Sequence, residues 1–287
     1  MPASVDELMA LLDLEVIEDN LFRGRQPATL LQRVFGGQVA AQALAAANHT
    51  VPDRYQVHSL HSYFLRPGDT AVPIVYDVEG VREGRSFATR RVIARQHGRP
   101  IFAMTLNFQV PEPGLDHQDP MPDVPAPEDC PSLAEASPNS GRDTEEWERE
   151  WAALEVRHAG HSGSGGGIVD DAVAGRARLW IKVNGTLPED RLSHLAAFTY
   201  SSDMTLLGAT LVPHGRYIGS PGMQAASLDH SIWFHRPFRA DEWWLYDQVT
   251  PSASGGRGLA IARVFSQDGR LVASVAQEGL IRVHPGE

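Results

Sequence analysis

The sequence predicts an α+β protein of two similar halves, each a set of antiparallel strands curved around one long buried helix. Three observations predict it. A strand-turn-strand pattern occurs twice, on either side of a Pro- and Gly-rich stretch. Upstream of each copy lies a helical segment that is apolar or small on nearly every side, which other structure must wrap. The composition is ordinary for a globular chain, 42% hydrophobic and 21% charged, and 287 residues suffice for two domains.

The elements follow in order. The amino-terminal MPASVDELMALLDLEVIEDN is acidic and amphipathic, without the basic start and apolar run of a signal peptide. In the first half the helical segment is GGQVAAQALAAANH, Gly36 to His49, kept thin by its alanines so that a curved sheet can close around it. Tyr63-Phe64-Leu65-Arg66-Pro67, Val75-Tyr76-Asp77 and the strand Ala88 to Arg95 come next. A turn at His97-Gly98-Arg99 then leads into PIFAMTLNFQV.

Between Pro111 and Gly167 the composition shifts to a Pro-rich acidic run, then TEEWEREWAALEVRH at helical spacing, then GHSGSGGG. This reads as a linker carrying one short helix. Its glycines are no phosphate loop, because no Gly-Lys-Ser/Thr follows them. The second half places SSDMTLLGATLV as its helix, then Trp233-Phe234-His235-Arg236-Pro237, Leu245-Tyr246-Asp247, LAIARVF, an Asp268-Gly269-Arg270 turn and LVASVAQEGLIRV. The expected division is 1–112 for the first repeat, 113–175 for the linker and 176–287 for the second repeat.

Several function classes are disfavoured. A formal net charge of -11 repels polyanions and counts against nucleic-acid or anionic-membrane binding. Cys130 is the only cysteine, so neither an internal disulfide framework nor a multi-cysteine metal site exists. No apolar stretch approaches the roughly 20 residues that span a bilayer. The ending His284-Pro285-Gly286-Glu287 carries no Ser-Lys-Leu-type address, so a cytoplasmic protein is expected, without metal or cofactor.

The candidate site comes from comparing the two halves. With the hairpins aligned at Gly98 and Gly269, Leu106 of the first half stands where the second has Gln277. Aligning Arg66-Pro67 with Arg236-Pro237 sets Val57 against Ser227. Aligning the helix starts, Phe35-Gly36-Gly37-Gln38 on Tyr200-Ser201-Ser202-Asp203, sets Gln38 against Asp203. The second half thus gains a carboxylate, a hydroxyl and an amide. Together they can hold one water, the carboxylate taking its proton and the other two fixing its orientation. Each also has a plainer reading: Asp203 as a helix cap, Ser227 as a strand hydroxyl bonded to local backbone, Gln277 as an edge or subunit-contact residue.

Competing signals are weaker. His58 and His61 stand three apart on a strand, where side chains i and i+3 face opposite ways. His158 and His161 lie near the flexible end of the linker. No Gly-x-Ser-x-Gly elbow is present, and Cys130 sits among acids that disfavour a thiolate.

LFRGRQP, FGGQVAAQAL, HSLHSYFLRPGD, YDVEGVREGRSFATRRV, PIFAMTLNFQ, SLDHSIWFHRPFRADEWWLY and LVASVAQEGLIR resemble the acyl-CoA thioesterase II (TesB-like) family, across almost the whole chain outside the linker. The resemblance implies a double hotdog fold and hydrolysis of fatty acyl-CoA to free fatty acid and CoA. It places the family's catalytic Asp, Ser/Thr and Gln on Asp203, Ser227 and Gln277. The implied mechanism is direct attack by a water that Asp203 activates and Ser227 and Gln277 orient, with no covalent acyl-enzyme. Backbone N–H groups at a helix start, such as Gly36 to Gln38, are a reasonable source of oxyanion donors. Two other readings are a non-catalytic acyl-CoA-binding protein and a hotdog enoyl-CoA hydratase. The hydratase would want Asn-Pro and His soon after its Asp, which Asp203-Met204-Thr205-Leu206-Leu207 lacks. Arg257, between glycines in SASGGRG, is a candidate phosphate anchor for CoA. Sheet edges and the cluster Trp233, Trp243 and Trp244 point to a homodimer or homotetramer.

Overall fold

The computed structural model describes residues 1–136, 144–161 and 175–284. The chain begins with α1 (Val5–Leu12), capped by Ser4, whose hydroxyl accepts from the Glu7 N–H. β1 (Glu15–Glu18), β2 (Leu21–Gly24), α2 (Gly36–Asn48), β3 (Gln56–Phe64), β4 (Ile74–Glu83), β5 (Phe87–Gln96) and β6 (Arg99–Gln109) complete the first half. α3 (Leu133–Ala136), α4 (Thr144–Glu150) and β7 (Leu154–His161) follow. The second half has β8 (Arg176–Val183), α5 (Arg191–Ser202), α6 (Leu206–Ala209), β9 (Met223–Ser227), β10 (Asp229–Phe234), β11 (Trp244–Ser254), β12 (Arg257–Ser266) and β13 (Leu271–Val283).

The strands form one antiparallel sheet in the order β1-β2-β4-β5-β6-β3-β10-β13-β12-β11-β8-β7, with β9 also pairing β13. Its centre is the β3–β10 pair, with Tyr63 opposite Asp229 and Ser59 opposite Trp233. Each half therefore supplies the strand that covers the other's edge. Inward residues of the strands bury against α2 and α5, as in β6, where Phe102, Met104, Leu106 and Phe108 are buried while Thr105 between them is exposed. Both expected repeats, each a sheet around a helix, are present, which is the double hotdog arrangement.

The turns follow their residues. His97 and Gly98 both adopt positive φ, 49° and 70°, the two-residue hairpin turn whose twist matches the strands. At the second hairpin Gly269 has φ 85° and its N–H donates to Ser266 O.

Other segments differ from the expectation. The second long helix is α5, not SSDMTLLGATLV; it starts at Asp190, whose carboxylate caps the Ser193 N–H, and ends before Asp203. Polar Arg191, Ser193 and His194 in its first turns mask its apolar face. Asp203 is thus the residue after a helix rather than near its start, and its counterpart in the first half is the residue closing α2, His49, not Gln38. In TEEWEREWAALEVRH the helix stops at Glu150 and Leu154–His161 is a strand pairing β8, with Val156 opposite Ile181. A bulge between Val57 and Ser59 lets both His58 and His61 face outward, but His58 bonds Asn107 and His61 bonds Ser231. Trp244 is core, packed edge-on to Phe198, while Trp233 is 38% exposed. The glycines at 163–167 and residues 285–287 lie outside the described residues.

Candidate active site

The structure brings Asp203, Ser227 and Gln277 together from three elements. Asp203 closes α5, Ser227 ends β9 and Gln277 lies mid-way along β13. The Gln277 Nε2 donates to Asp203 Oδ1, and the Ser227 hydroxyl donates to the same oxygen at 3.4 Å. Ser227 stands opposite Gly279 in the β9–β13 ladder, so Gln277, two residues back, is its diagonal neighbour on the same face. Val57 stands likewise opposite Phe108, two residues beyond Leu106. The second repeat has thus replaced an apolar pair by a polar one at matched positions.

A fourth group comes from the first repeat. The backbone N–H of Gly37, in the first turn of α2, faces the Asp203 carboxylate and favours its charged form. This requires close approach of the two helix ends. A Cβ at Gly36 would sit 2.6 Å from Asp203 Oδ2, and one at Gly37 would run into the Tyr200 carbonyl oxygen. The start of α2 presents the positive end of its dipole and N–H groups without intrahelical partners.

Burial pushes the Asp203 carboxyl up from 3.8 to about 6, opposed in turn by the bonds from Gln277, Gly37 and Ser227. That value is suited to a base working near neutrality. Both lone pairs of Gln277 Oε1 lack a partner among the described residues, although the residue is fully buried. An unpartnered buried acceptor next to a carboxylate is a place for a water hydrogen.

Near the trio, two more buried polar residues escaped the sequence reading. His230 on β10 occupies the place of Leu60, and Gln248 on β11 that of Val78 when Tyr246 is aligned with Tyr76. The same comparison of repeats, extended to those strands, would have found both. Gln248 accepts from the Thr205 hydroxyl at 3.5 Å, and its Nε2 has no partner among the described residues. The Tyr246 hydroxyl donates to Ser202 O at 2.9 Å, beneath Asp203. Other candidates lie elsewhere. Arg257, exposed after the Gly255-Gly256 turn, pairs with Glu278 at 3.1 Å. Cys130 is buried, its thiol pushed up by burial and by Asp129. His158 and His161 sit on β7, and no group of three or more potential metal ligands occurs among the described residues.

A family profile described as acyl-CoA thioesterase N-terminal domain matches residues 25–109, and one described as acyl-CoA thioesterase matches residues 154–280. Acyl-CoA thioesterase 2 of Haemophilus influenzae is 41% identical over 97% of this chain and 98% of its own. Human acyl-coenzyme A thioesterase 8 is 40% identical, over 96% of this chain and 88% of its own. Among solved structures, the acyl-CoA thioesterase II TesB2 of Mycobacterium marinum superposes with a TM-score of 0.84 at 44% identity, covering 98% of this chain and all of that one. A hot dog fold protein of Alicyclobacillus acidocaldarius, 22% identical, shares the fold with a TM-score of 0.76 over 96% of this chain and 97% of its own. Matching both halves of the repeat and nearly the full length of its relatives, the chain belongs to the acyl-CoA thioesterase family.

Proposed function

We propose that this protein hydrolyses the thioester of fatty acyl-CoA to free fatty acid and CoA, using a water activated by Asp203 and oriented by Ser227 and Gln277. The observation that carries the reading is the convergence of two side-chain donors on one oxygen of a buried carboxylate. With Asp203 Oδ1 occupied by Gln277 and Ser227, Oδ2 is the oxygen that faces Gly36 at the start of α2. A water there gives one hydrogen to the carboxylate and the other to Gln277 Oε1.

Its oxygen attacks the thioester carbon, and the proton moves to Asp203. The carbonyl oxygen, now anionic, takes bonds from N–H groups of the first turn of α2, where Gly36 and Gln38 flank the Gly37 N–H that faces Asp203. Collapse breaks the C–S bond, and the proton held by Asp203 passes to the CoA sulfur. The Ser227 hydroxyl donates to Asp203 Oδ1 at 3.4 Å, a long bond that orients the carboxylate, and in this reading Asp203 takes its proton from the water and not from Ser227.

A thiol-release assay with fatty acyl-CoA tests the reading. Turnover is expected from the wild-type chain and a fall of about 10²- to 10⁴-fold in a folded Asp203→Asn variant, the usual contribution of a general base. A chain that binds acyl-CoA without releasing thiol would favour a binding protein, and full activity in the variant would remove Asp203 from the chemistry. We further propose a cytoplasmic homodimer or homotetramer; no described helix is long and apolar enough to cross a membrane. Light scattering that returned a mass near 31.4 kDa at micromolar concentrations would reject the oligomer.

A further inference from the structure

His230 is fully buried in β10, where the first repeat buries Leu60 in the same register. Its Nε2 lies 2.8 Å from the Ser202 hydroxyl oxygen. That hydroxyl donates its single hydrogen to Thr199 O at 3.0 Å, so the imidazole is the donor at Nε2 and Nδ1 is bare. Nδ1 has no partner among the described residues. A leucine would fill this site without leaving an unsatisfied acceptor, which is costly when buried. Packing alone therefore does not explain a histidine here.

The placement of its neighbours does. In the β10–β13 ladder Ser231 stands opposite Ala276 and Ile232 opposite Val275. One further step sets His230 opposite Gln277, with both side chains on the face toward α5. On the helix, Ser202 and Asp203 are consecutive. Two rungs thus join the sheet to the end of α5: His230 to Ser202, and Gln277 to Asp203. Asp203 lies outside the helical hydrogen-bond ladder, so the first rung fixes the backbone from which its carboxylate projects.

We propose that His230 is a positioning residue of the active site, holding the end of α5 through Ser202 so that the Asp203 carboxylate stays aligned with Gln277 and Gly37. The proposal rests on the reading of Asp203 as the base. Burial lowers the imidazole to about 3, so it carries no charge to Asp203 at working pH. The groups facing Asp203 are the Gly37 N–H from α2, Ser227 from β9, Gln277 from β13 and the Tyr246 phenol from β11, itself kept neutral by burial. Those facing His230 are Ser202 from α5, Gln277 from β13 and Ser62 of β3, whose hydroxyl donates to His230 O. An acidic limb in the rate profile therefore reports Asp203.

The test compares His230→Leu, His230→Gln, Ser202→Ala and the Ser202→Ala/His230→Leu double variant, with Asp203→Asn as control, in the thiol-release assay across pH. His230→Leu copies the first repeat and is expected to fold, and Ser202→Ala removes the same rung without touching β10. Either variant should lower kcat roughly ten- to a hundredfold with KM within about twofold, as misplacement of a reacting group does. The acidic limb should move from about 6 by roughly half a pH unit or more as the carboxylate loses its fixed partners. His230→Gln, whose Nε2 hydrogens reach the same hydroxyl, should recover most of the rate. The double variant should be no slower than the slower single one, because both remove one rung. Wild-type kcat and an unmoved limb in His230→Leu and Ser202→Ala, with Asp203→Asn inactive, would overturn the proposal alone. An active Asp203→Asn would overturn the reading beneath it.

Discussion

Gly37 and Asp203 meet across the boundary between repeats, the N–H of one helix start facing the carboxylate that follows the other helix's end. The polar trio belongs to the second half, yet the site is complete only with the first.

A methyl group tests this dependence. Gly37→Ala places a Cβ against the Tyr200 carbonyl, so the helix ends must part. The expected cost is about 1 to 3 kcal/mol in stability, typical of an overpacked contact. The expected loss in kcat is about tenfold or more, from displaced donors. Thermal melts and thiol release measure the two separately. Unchanged values for both would show that the helix ends need not touch.

The pH dependence follows from the raised carboxyl. Asp203 is a base only when ionised, so kcat/KM should fall about tenfold per pH unit below about 6 and level off above it. Stability runs the other way. A carboxyl whose folded value lies above its unfolded 3.8 binds protons more readily when folded, so its ionisation destabilises the fold as pH rises from 3.8 through about 6. The full penalty above pH 6 is of order 3 kcal/mol. Asp203→Asn should therefore melt higher than wild type at pH 8, with a smaller gain at pH 5. A gain that grew toward acid would contradict the burial argument.

Ser227 is expected to orient and not to attack. Ser227→Ala should lower kcat by about tenfold through a loosened carboxylate, and Ser227→Thr should retain most activity. Mass spectrometry during wild-type turnover should show the unmodified chain, and hydroxylamine should trap nothing. An adduct of acyl mass on Ser227 would replace the water mechanism by a covalent one.

Arg257 gives a prediction about the other end of the substrate. Its guanidinium is exposed and already paired with Glu278. If it also meets a CoA phosphate, Arg257→Ala should raise KM for acyl-CoA several-fold and flatten its dependence on salt. An unaltered KM at low and high salt would leave Arg257 to Glu278 alone.

Where the sequence reading succeeded and failed has a common physical origin. Strand registers were legible because hairpin turns and Arg-Pro pairs mark fixed points and side chains alternate strictly between them. Leu106 against Gln277 and Val57 against Ser227 are therefore matched positions in the ladders. Helices carry no such marks. α2 has six alanines in thirteen residues, whereas the buried α5 holds His194 and also Thr199, Ser201 and Ser202, whose hydroxyls bond back to the helix's own carbonyls. Hydroxyls satisfied in this way look solvent-facing in a sequence, so the helix was expected ten residues too late and Asp203 matched to Gln38. His230 and Gln248 went unnoticed because only two of the strands were compared. The approach of Gly37 to Asp203 was not legible at all, since nothing local couples residues so far apart in the chain.

The unequal repeats also fix a stoichiometry. A pair of identical single repeats would carry two equivalent catalytic centres related by the axis through the β3–β10 pair. Here the first repeat has Val57, Leu60 and Leu106 where the second has Ser227, His230 and Gln277. Titration with a tight-binding acyl-CoA analogue should accordingly count one centre per chain, and each further subunit in an assembly should add one.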